Sequence, residues 1–280
     1  MIGISDYGEA ESSTIAAIRE ACVATDGHDP LDEASRLRLQ NHGLSDARLW
    51  LVGEQGFAFL HDGALDLAVA PEHRAEGVGS RLAQAAAEAT RTAWSHGNHP
   101  AAHALASHHA FTAVRELWVM RRPTSEPLGD LRTPEDLTIR GFREGDQPDL
   151  LRVNAAAFAH HPEQGGMDAA ELAERMAEPW FEPKGLLIAE DRDGMLGFHW
   201  TKRHTPALAE VYVVAIAPGA QGRGLGKTLT LAGLHHLADA DEVILYVESD
   251  NLPARAVYEG LGFTHVASDT HVQYAAQPRA

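Results

Sequence analysis

The sequence predicts two α/β domains in tandem, each with the same order of strands and helices. One observation is a repeated loop: APGAQGRGLG (217–226) and APEHRAEGVG (70–79) both open Ala-Pro and place glycines six and eight residues after the proline. Each loop follows a strand-like stretch and precedes a helical one, and self-similarity on this scale indicates duplication. The proline-containing segment RRPTSEPLGDLRTPED (121–136) reads as a connection. We therefore predict domains at 1–122 and 137–280, with a linker at 123–136.

The second half gives the clearer pattern. Strand-like runs rich in β-branched and aromatic residues alternate with stretches of helical spacing, and Asp168 is suited to cap a helix that ends before Pro179. The predicted strands are LTIRGFRE (137–144), GLLIAEDR (185–192), MLGFHWTKR (195–203), AEVYVVAIAP (209–218), EVILYVES (242–249) and THVASDTHVQY (264–274). The predicted helices are 149–160, 168–178, 225–240 and 253–261.

The first half repeats this order more faintly. It contains two helical stretches within 12–44, strand-like runs at 48–54, 56–61 and 65–71, and a helix over 78–93 after its own glycine loop. NHPAAHALASHHAF (98–111) then resembles DNLPARAVYEGLGF (250–263), and VRELWVMRRP closes the half.

Length and charge exclude several classes of protein. The chain has 280 residues, a hydrophobic content of 44% and a formal net charge of −17, with 23 basic against 40 acidic side chains. This composition is typical of globular proteins, and the acidic balance argues against a nucleic-acid surface. Cys22 is the single cysteine, and the N-terminus lacks the basic and apolar regions of a signal peptide. We expect a cytoplasmic monomer that binds neither nucleic acid nor membrane.

The second glycine loop is predicted to bind an anion. Glycines let successive backbone N–H groups converge, and the start of the following helix adds a favourable dipole. Arg223 and Lys227 place positive charge beside the loop. QGRGLGKT (221–228) is one residue short of a Walker A motif, because Gln221 stands where glycine is required, and no GxGxxG occurs. An ordinary surface turn is the remaining alternative.

Gln221-x-x-Gly224-x-Gly226 after AEVYVVAIAP, with Asn251 and Tyr258 downstream, resembles the GNAT superfamily of acetyl-CoA-dependent N-acetyltransferases. HHPEQGG, GFHWTK, EVYVV, QGRGLG and LYVESDN together look like the mycothiol synthase family, within that superfamily. The resemblance implies two GNAT domains, each with a mixed, mostly antiparallel sheet flanked by helices. It also implies acetyl-CoA as cosubstrate, no metal, and direct transfer of acetyl to the cysteinyl amine of cysteinyl-glucosaminyl-inositol. A protein N-terminal or small-amine acetyltransferase and a non-catalytic CoA-binding module are the alternatives.

The resemblance assigns two catalytic residues. Glu210 would accept the proton of the acceptor ammonium, and Tyr258 would protonate the CoA sulfur as it leaves. Read without the motif, Glu210 is an ordinary strand-edge carboxylate and Tyr258 a packed aromatic. The predicted cofactor-binding residues in this half are Val214, Ala215, Ile216, Gln221, Gly222, Arg223, Gly224, Leu225, Gly226, Lys227, Asn251, Leu252, Pro253, Ala254, Arg255 and Ala256.

A polyhydroxylated, cationic acceptor suits a cleft with carboxylates and few apolar walls. By resemblance, the acceptor site contains Glu33, Glu163, Lys202, Glu210 and Tyr246. Glu33 lies in the first half, so both domains are expected to contribute to one pocket. Lys202 would repel an ammonium, and the sugar end of the acceptor is its expected neighbour.

The first copy keeps the loop but not the chemistry. With Pro71 aligned on Pro218, Glu210 falls on Gly63, and with Asn98 aligned on Asn251, Tyr258 falls on Leu105. Arg223 falls on Glu76, which opposes an intended diphosphate. We predict a non-catalytic copy that either serves only as scaffold or, as the family resemblance favours, still binds acetyl-CoA. The residues predicted to bind it are Leu67, Ala68, Val69, Ala75, Glu76, Gly77, Val78, Gly79 and Ser80.

The histidines between 96 and 109 raise the question of a metal site. His96, His99, His103, His108 and His109 crowd this stretch without a cysteine or an HExxH motif. We expect a solvent-facing cluster rather than a metal site.

Overall fold

A computed structural model of the chain describes residues 2–134, 136–159 and 164–276. The chain divides into two compact units: Met1–Trp118 with Val266–Ala280, and Val119–His265. Across the described residues, no helix has both the length and the apolar character that a membrane crossing needs.

The first unit alternates helices and strands as the sequence predicts. Its helices are α1 (Glu9–Asp26), α2 (Glu33–His42), α3 (Val78–Ala86) and α4 (Pro100–His108). Its strands are β1 (Ile2–Ile4), β2 (Ala47–Leu51), β3 (Gly56–His61), β4 (Ala64–Val69), β5 (Thr92–Ser95) and the first part of β6 (Phe111–Pro123). Strands β1 to β4 pair antiparallel in sequence order, whereas β4 and β5 pair parallel.

Apolar side chains cover both faces of this sheet. One cluster joins α1 and α2 to β2 and β3 through residues such as Ile18, Leu39 and Phe59. The other contains Val78 and Leu82 of α3. Since successive strand side chains alternate between faces, two buried clusters account for the nearly continuous burial of β3.

The second unit has the same order of elements. Its helices are α5 (Gln147–Ala157), α6 (Ala169–Met176), α7 (Leu225–His236) and α8 (Leu252–Glu259). Its strands are β7 (Thr138–Gly141), β8 (Leu186–Asp191), β9 (Gly194–Arg203), β10 (Leu208–Ile216) and β11 (Glu242–Glu248). β7 to β10 pair antiparallel in sequence order, and β10 and β11 pair parallel.

The predicted cap of α6 is present. The Asp168 carboxylate accepts hydrogen bonds from the backbone N–H groups of Ala170 and Glu171, and Glu171 bonds back to the Asp168 N–H. The helix then packs Leu172 into a core with Trp200 and Phe198. A smaller cluster on α7 contains Leu225 and Leu229.

The unit boundaries fall inside two long strands. The last part of β6 belongs to the second unit, where β6 neighbours β11. β12 (Thr264–Ala276) crosses the boundary the other way and pairs antiparallel with β5 of the first unit. Each unit therefore contains part of a strand that comes from the other half of the sequence.

One predicted element of the first unit is too long. The sequence predicts a helix over 78–93, but α3 ends at Ala86 and β5 begins at Thr92. The sequence remains rich in alanine beyond Ala86, so no residue marks the end of the helix there. Thr92 and Trp94 favour a strand, and the parallel pairs Ala64–Thr92 and Leu65–Ala93 stabilise it.

Candidate active site

The second glycine loop forms an open turn between β10 and α7. After Ile216, a short 3₁₀ turn over Pro218–Ala220 leads to Gly222 and Gly224, whose φ angles of 78° and 77° are left-handed. Gly224 is the N-cap residue of α7. Apart from the adjoining backbone, no atom of the described residues lies within 4 Å of a Cβ built on Gly222, Gly224 or Gly226. The backbone N–H groups at the helix start are thus accessible to an anion.

The strands beside this loop separate. β10 pairs with β11 from Leu208–Glu242 as far as Val211–Leu245, and on its other edge β10 stays paired with β9 up to Ile216–Gly197. The β9 register shifts between Val211 and Val213, so Tyr212 forms a bulge that increases the local twist. The predicted residues Val214, Ala215 and Ile216 lie beyond Val211–Leu245, the last β10–β11 pair of the described strands, on the edge of β10 that opens.

Two side chains of the loop, those of Arg223 and Gln221, contact other parts of the second unit. Arg223 lies 3.3 Å from an Asp136 carboxylate oxygen and 3.9 Å from Asp191, with 41% of its side chain exposed. Gln221 Nε2 donates to the Ile216 carbonyl at 3.5 Å and ties the loop to the end of β10. Lys227 is exposed on the first turn of α7.

Glu210 is a buried carboxylate with a histidine partner. Its side chain is 6% exposed, and Oε2 lies 2.6 Å from Nε2 of His204, which is 31% exposed. Sequence reasoning missed His204, which follows β9 and is held by the bond from its N–H to the Leu208 carbonyl. The hairpin of β9 and β10 could have indicated this contact. The turn between the two strands is short, so His204, six positions before Glu210, comes back beside it.

Lys202 lies across the strand pair from Glu210. Its Nζ is 4.9 Å from the ring centroids of Trp180 and of Tyr212, and only 8% of the residue is exposed. Trp200 packs against both rings. Cation–π contact therefore holds the ammonium in a largely desolvated position. The sequence analysis identified Lys202 but not the two rings.

The short helix α8 carries the second predicted catalytic residue. Tyr258 packs edge-on against Phe263, with centroids 6.0 Å apart, and burial raises the pKa of its phenol to about 12. The phenol is therefore protonated throughout the neutral range and can donate a hydrogen bond.

The other predicted residues of this region lie at or near the start of α8. Asn251 is the N-cap, and its Oδ1 accepts from the Ala254 N–H at 3.2 Å, which is ordinary capping chemistry. Leu252, Pro253, Ala254, Arg255 and Ala256 form the first turns, where Arg255 Nη1 donates to the Ser249 carbonyl at 2.7 Å. Tyr246, on β11, is 39% exposed.

The first copy reproduces the backbone of the loop. A 3₁₀ turn over Pro71–His73 leads to Ala75 at φ 63° and Gly77 at φ 79°, and Gly77 is the N-cap of α3. A cavity of about 310 Å³ adjoins it. The predicted residues that line this cavity are Leu67, Ala68, Val69, Ala75, Gly77, Val78, Gly79 and Ser80. Glu76 is absent from this lining set, and its carboxylate lies 3.3 Å from His73.

Arg74 occupies the position of Gln221 and is anchored more firmly. Its two Nη atoms lie 2.8 and 2.6 Å from the Asp26 carboxylate oxygens, and Nε donates to the Val69 carbonyl at 3.2 Å. The Arg74 hydrogen bonds hold the pKa of Asp26 below its usual range. The same strand-end carbonyl is thus bound in both copies, by an amide in one and a guanidinium in the other.

The two remaining predicted acceptor residues are Glu33 and Glu163. Glu33 begins α2 in the first unit, with Oε1 3.6 Å from Nη2 of Arg36. Glu163 lies outside the described residues, as do His160 and His161.

The histidine-rich stretch is not uniformly solvent-facing. His96 Nδ1 lies 3.1 Å from His271 Nδ1, whose Nε2 is 3.4 Å from His28 Nδ1, and burial lowers the pKa of His96. The expected solvent-facing cluster is therefore wrong for His96, because β12 brings His271 beside it. Among the side chains that the structure describes, no group of three or more His, Cys, Asp or Glu has an arrangement that would hold a metal ion.

Comparison with known proteins places these features in a family. The model of the Acetyltransferase (GNAT) family matches residues 154–263. A mycothiol acetyltransferase from a Nocardioides species is 53% identical over 295 residues, which cover 97% of this chain and 99% of the relative. The chain belongs to the mycothiol acetyltransferase family. The family resemblance predicted from the sequence is therefore confirmed.

Two solved structures share the fold of this mycothiol acetyltransferase family member. A GCN5-related N-acetyltransferase from Sphaerobacter thermophilus aligns with a TM-score of 0.71 at 20% identity, over 100% of this chain and 96% of that one. A tandem GNAT protein from the clavulanic acid biosynthesis pathway aligns with a TM-score of 0.65 at 18% identity, over 96% and 97% of the two chains. The predicted fold class, tandem GNAT domains with mixed, mostly antiparallel sheets, is confirmed.

Proposed function

We propose that the second unit transfers acetyl from acetyl-CoA to the cysteinyl amine of cysteinyl-glucosaminyl-inositol without a covalent enzyme intermediate. Acetyl transfer in mycothiol biosynthesis is the activity of the family to which the chain belongs. The observation that carries the residue-level proposal is the hydrogen bond between Glu210 and His204. Glu210 is buried and lies on β10, the strand that separates from β11 and leads into the second glycine loop.

The second glycine loop and the open edge of β10 suit the diphosphate and the pantetheine arm of acetyl-CoA. The accessible N–H groups around Gly222–Gly226 and the start of α7 fit a diphosphate. The β10 edge at Val214–Ile216 offers backbone donors and acceptors to the amides of a pantetheine arm. A backbone N–H near Val214 would then stabilise the oxyanion that forms on the thioester carbonyl.

Glu210 is the proposed base. A buried carboxylate takes the proton from the acceptor ammonium, and the neutral amine attacks the thioester carbon. Glu210 is too enclosed to exchange that proton freely with water. His204, hydrogen-bonded to it and partly exposed, is the route by which the proton reaches solvent. Glu210 returns to its ionised form for the next turnover.

Tyr258 is the proposed donor to the leaving sulfur. As the C–S bond breaks, negative charge develops on sulfur, and the phenol O–H is available at neutral pH to hydrogen-bond and protonate it. The raised pKa of Tyr258 makes the phenol a durable hydrogen-bond donor and makes the phenolate costly, so rapid reprotonation is needed after any full transfer.

The residues proposed to bind the acceptor rest on the family resemblance. Lys202, held against Trp180 and Tyr212, would face a hydroxyl or carbonyl oxygen of the acceptor rather than its ammonium. Tyr246 has the exposure that a ligand contact needs. Glu33 and Glu163 are proposed on the same basis.

For the first unit, we propose acetyl-CoA binding without catalysis. The cavity beside loop 75–80 supports binding, and Gly63 and Leu105, which take the aligned positions of Glu210 and Tyr258, supply neither base nor acid. We also propose a cytoplasmic, monomeric, metal-free enzyme, and the single cysteine fits a reducing compartment.

Product analysis with alternative acceptors tests the proposed reaction. Purified chain is incubated with acetyl-CoA and cysteinyl-glucosaminyl-inositol, a serine-starting peptide or a simple diamine. We expect N-acetylated product with the first acceptor and negligible product with the others. A faster reaction with the peptide or the diamine would support the broader GNAT alternative. Stoichiometric CoA binding without any product would support the non-catalytic one.

A further inference from the structure

A second, apolar pocket adjoins the cavity of the first unit. It has a volume of about 100 Å³ and lies among α3, α4 and the strands beneath them. Its wall is mostly alanine and leucine, including Ala83, Ala87, Ala102 and Ala106. We call it the alanine pocket. Its polar wall atoms are few: Thr90 Oγ1 donates to the Ala86 carbonyl, and His109 Nε2 has no hydrogen-bond partner within the described structure.

The alanine pocket meets the loop cavity at four shared residues, which are Leu67, Trp94, Ala102 and Leu105. Two of them align with residues that have proposed roles in the second copy. Leu67 aligns with Val214, the proposed carbonyl-binding position, and Leu105 aligns with Tyr258, the proposed sulfur neighbour. The junction of the two cavities is therefore the point where a thioester bound at the first loop would place its carbonyl and its sulfur.

The second copy has larger side chains at several of the corresponding positions. With the same alignment, Ala83 and Ala87 correspond to the buried Thr230 and Leu234, and Leu105 corresponds to the tyrosine of α8. The pocket thus results from several small residues on two helices of the first copy.

We propose that the first unit binds a CoA thioester whose acyl chain is longer than acetyl, with the chain in the alanine pocket. This rests on the proposed binding of CoA at the first loop. The diphosphate and pantetheine occupy the loop cavity, the thioester lies at Leu67 and Leu105, and the methylene groups pass between α3 and α4. The ligand is bound without reaction, because the unit lacks the aligned base and acid.

Burial of methylene groups sets the expected selectivity. Each CH₂ removed from water contributes about 4-fold in affinity, so butyryl-CoA should bind the first site about 15-fold more tightly than acetyl-CoA. Equilibrium dialysis of the full chain with acetyl-, butyryl- and hexanoyl-CoA gives the number of sites and their dissociation constants. The second site is followed separately through the KM of acetyl-CoA.

Two variants assign the selectivity to the pocket. Ala106→Leu fills its wall, and Leu105→Tyr restores the residue of the second copy at the junction. Each should abolish the advantage of the longer chains at the first site and leave the KM of acetyl-CoA unchanged. Ala24→Leu, at an exposed position of α1 outside both cavities, is the matched control and should retain the selectivity. Far-ultraviolet circular dichroism checks that each variant is folded.

The outcomes separate this inference from the proposed function. Two sites per chain with equal affinity for all three chains at the first site would overturn the inference and leave CoA binding there intact. A single site per chain, with normal acetyl transfer, would overturn both the first-unit binding and the pocket's proposed occupant. It would not affect the reaction of the second unit.

Discussion

The two glycine loops have nearly the same backbone and different side-chain chemistry. Ala70 and Ala217 have φ/ψ values of −53°/135° and −54°/136°, and Gly77 and Gly224 cap α3 and α7 with φ angles of 79° and 77°. The repeated proline and glycines impose this path in both copies. The side chains around it have diverged: one loop carries Glu76, and the other carries Arg223.

The comparison teaches that fewer specific residues are needed to keep the backbone shape of the loop than to keep the proposed reaction. A cradle needs glycine or tolerated left-handed residues at a few positions, and alanine is accepted at one of them, Ala75. The proposed proton transfers need particular side chains at further positions, Glu210, His204 and Tyr258, and we expect the loss of any one of them to slow the reaction. The predictions below test this distinction, beginning with the largest effect.

Glu210→Gln should remove the chemistry that distinguishes the second copy. We expect kcat to fall by about 100- to 1000-fold, because the amide cannot accept the ammonium proton. Steady-state rates with acetyl-CoA and cysteinyl-glucosaminyl-inositol measure the loss. Glu182→Gln is the matched control, since Glu182 also lies near a histidine, His236 at 3.5 Å, without belonging to the proposed site. Equal rates in the wild type and the Glu210 variant would remove the base assignment.

His204→Ala should slow turnover by about 10- to 100-fold, since the buried carboxylate loses its proton route to solvent. Added imidazole should restore part of the rate and should not help Glu210→Gln. The same experiment on His236→Ala provides the control. A defect in His204→Ala that imidazole leaves unchanged would point to a purely structural role for this side chain.

The arginine–aspartate pairs of the two units should differ in their contribution to stability. Arg140 hydrogen-bonds Asp146 and Glu190, and this guanidinium holds the pKa of Asp146 below its usual range. At pH 7 we expect Asp146→Asn to lower the unfolding free energy by about 2 kcal/mol, and Asp26→Asn, at the more exposed Arg74 pair, by about 1 kcal/mol.

The pH dependence of these pairs has a definite sign. A depressed carboxyl pKa contributes stability that is present above the unfolded value of about 3.9 and is lost as the pH falls through the folded value. The gap between the wild type and Asp146→Asn should therefore shrink below about pH 4. Urea unfolding at several pH values measures it, and a constant gap down to pH 2 would contradict the linkage.

Exchanging the loop charges should make each copy resemble the other. Arg223→Glu should raise the KM of acetyl-CoA by about 10-fold, because a partly exposed cation beside the cradle is replaced by an anion. Glu76→Arg should tighten CoA binding at the first site by a similar factor without changing kcat. Arg192→Glu, an exposed charge in the β8–β9 turn, is the control for net charge.

The smallest effects should come from the left-handed position of the two loops. Gly222→Ala should cost about 1 kcal/mol, because an L side chain at positive φ is strained even where space is open. Ala75→Gly should gain about 0.5 kcal/mol, since relief of that strain is partly offset by a more flexible unfolded chain. Chemical denaturation midpoints measure both, and a stabilising Gly222→Ala would show that the φ angle changes upon substitution.

Local signals were enough to predict most of the elements, because strand and helix patterns are read from neighbouring residues. Asp168, the glycine loops and the β-branched and aromatic residues of β8–β10 each carry such a signal. The exchange of β6 and β12 was not predictable, since it depends on which sheet edge a strand joins and not on the strand's own composition. His204 and the rings around Lys202 escaped for the same reason: hairpin register and long-range packing bring them to the site.

The exchanged strands also constrain how the chain is made. β12, whose residues from Val266 onward belong to the first unit, is synthesised after the second unit, so β5 has no partner on that edge while the ribosome still translates the second unit. An unpaired edge of this kind favours pairing with other chains. Translation of the first unit therefore begins before that of the second unit and ends after it, and a nascent chain that stalls in the linker would be exposed to aggregation.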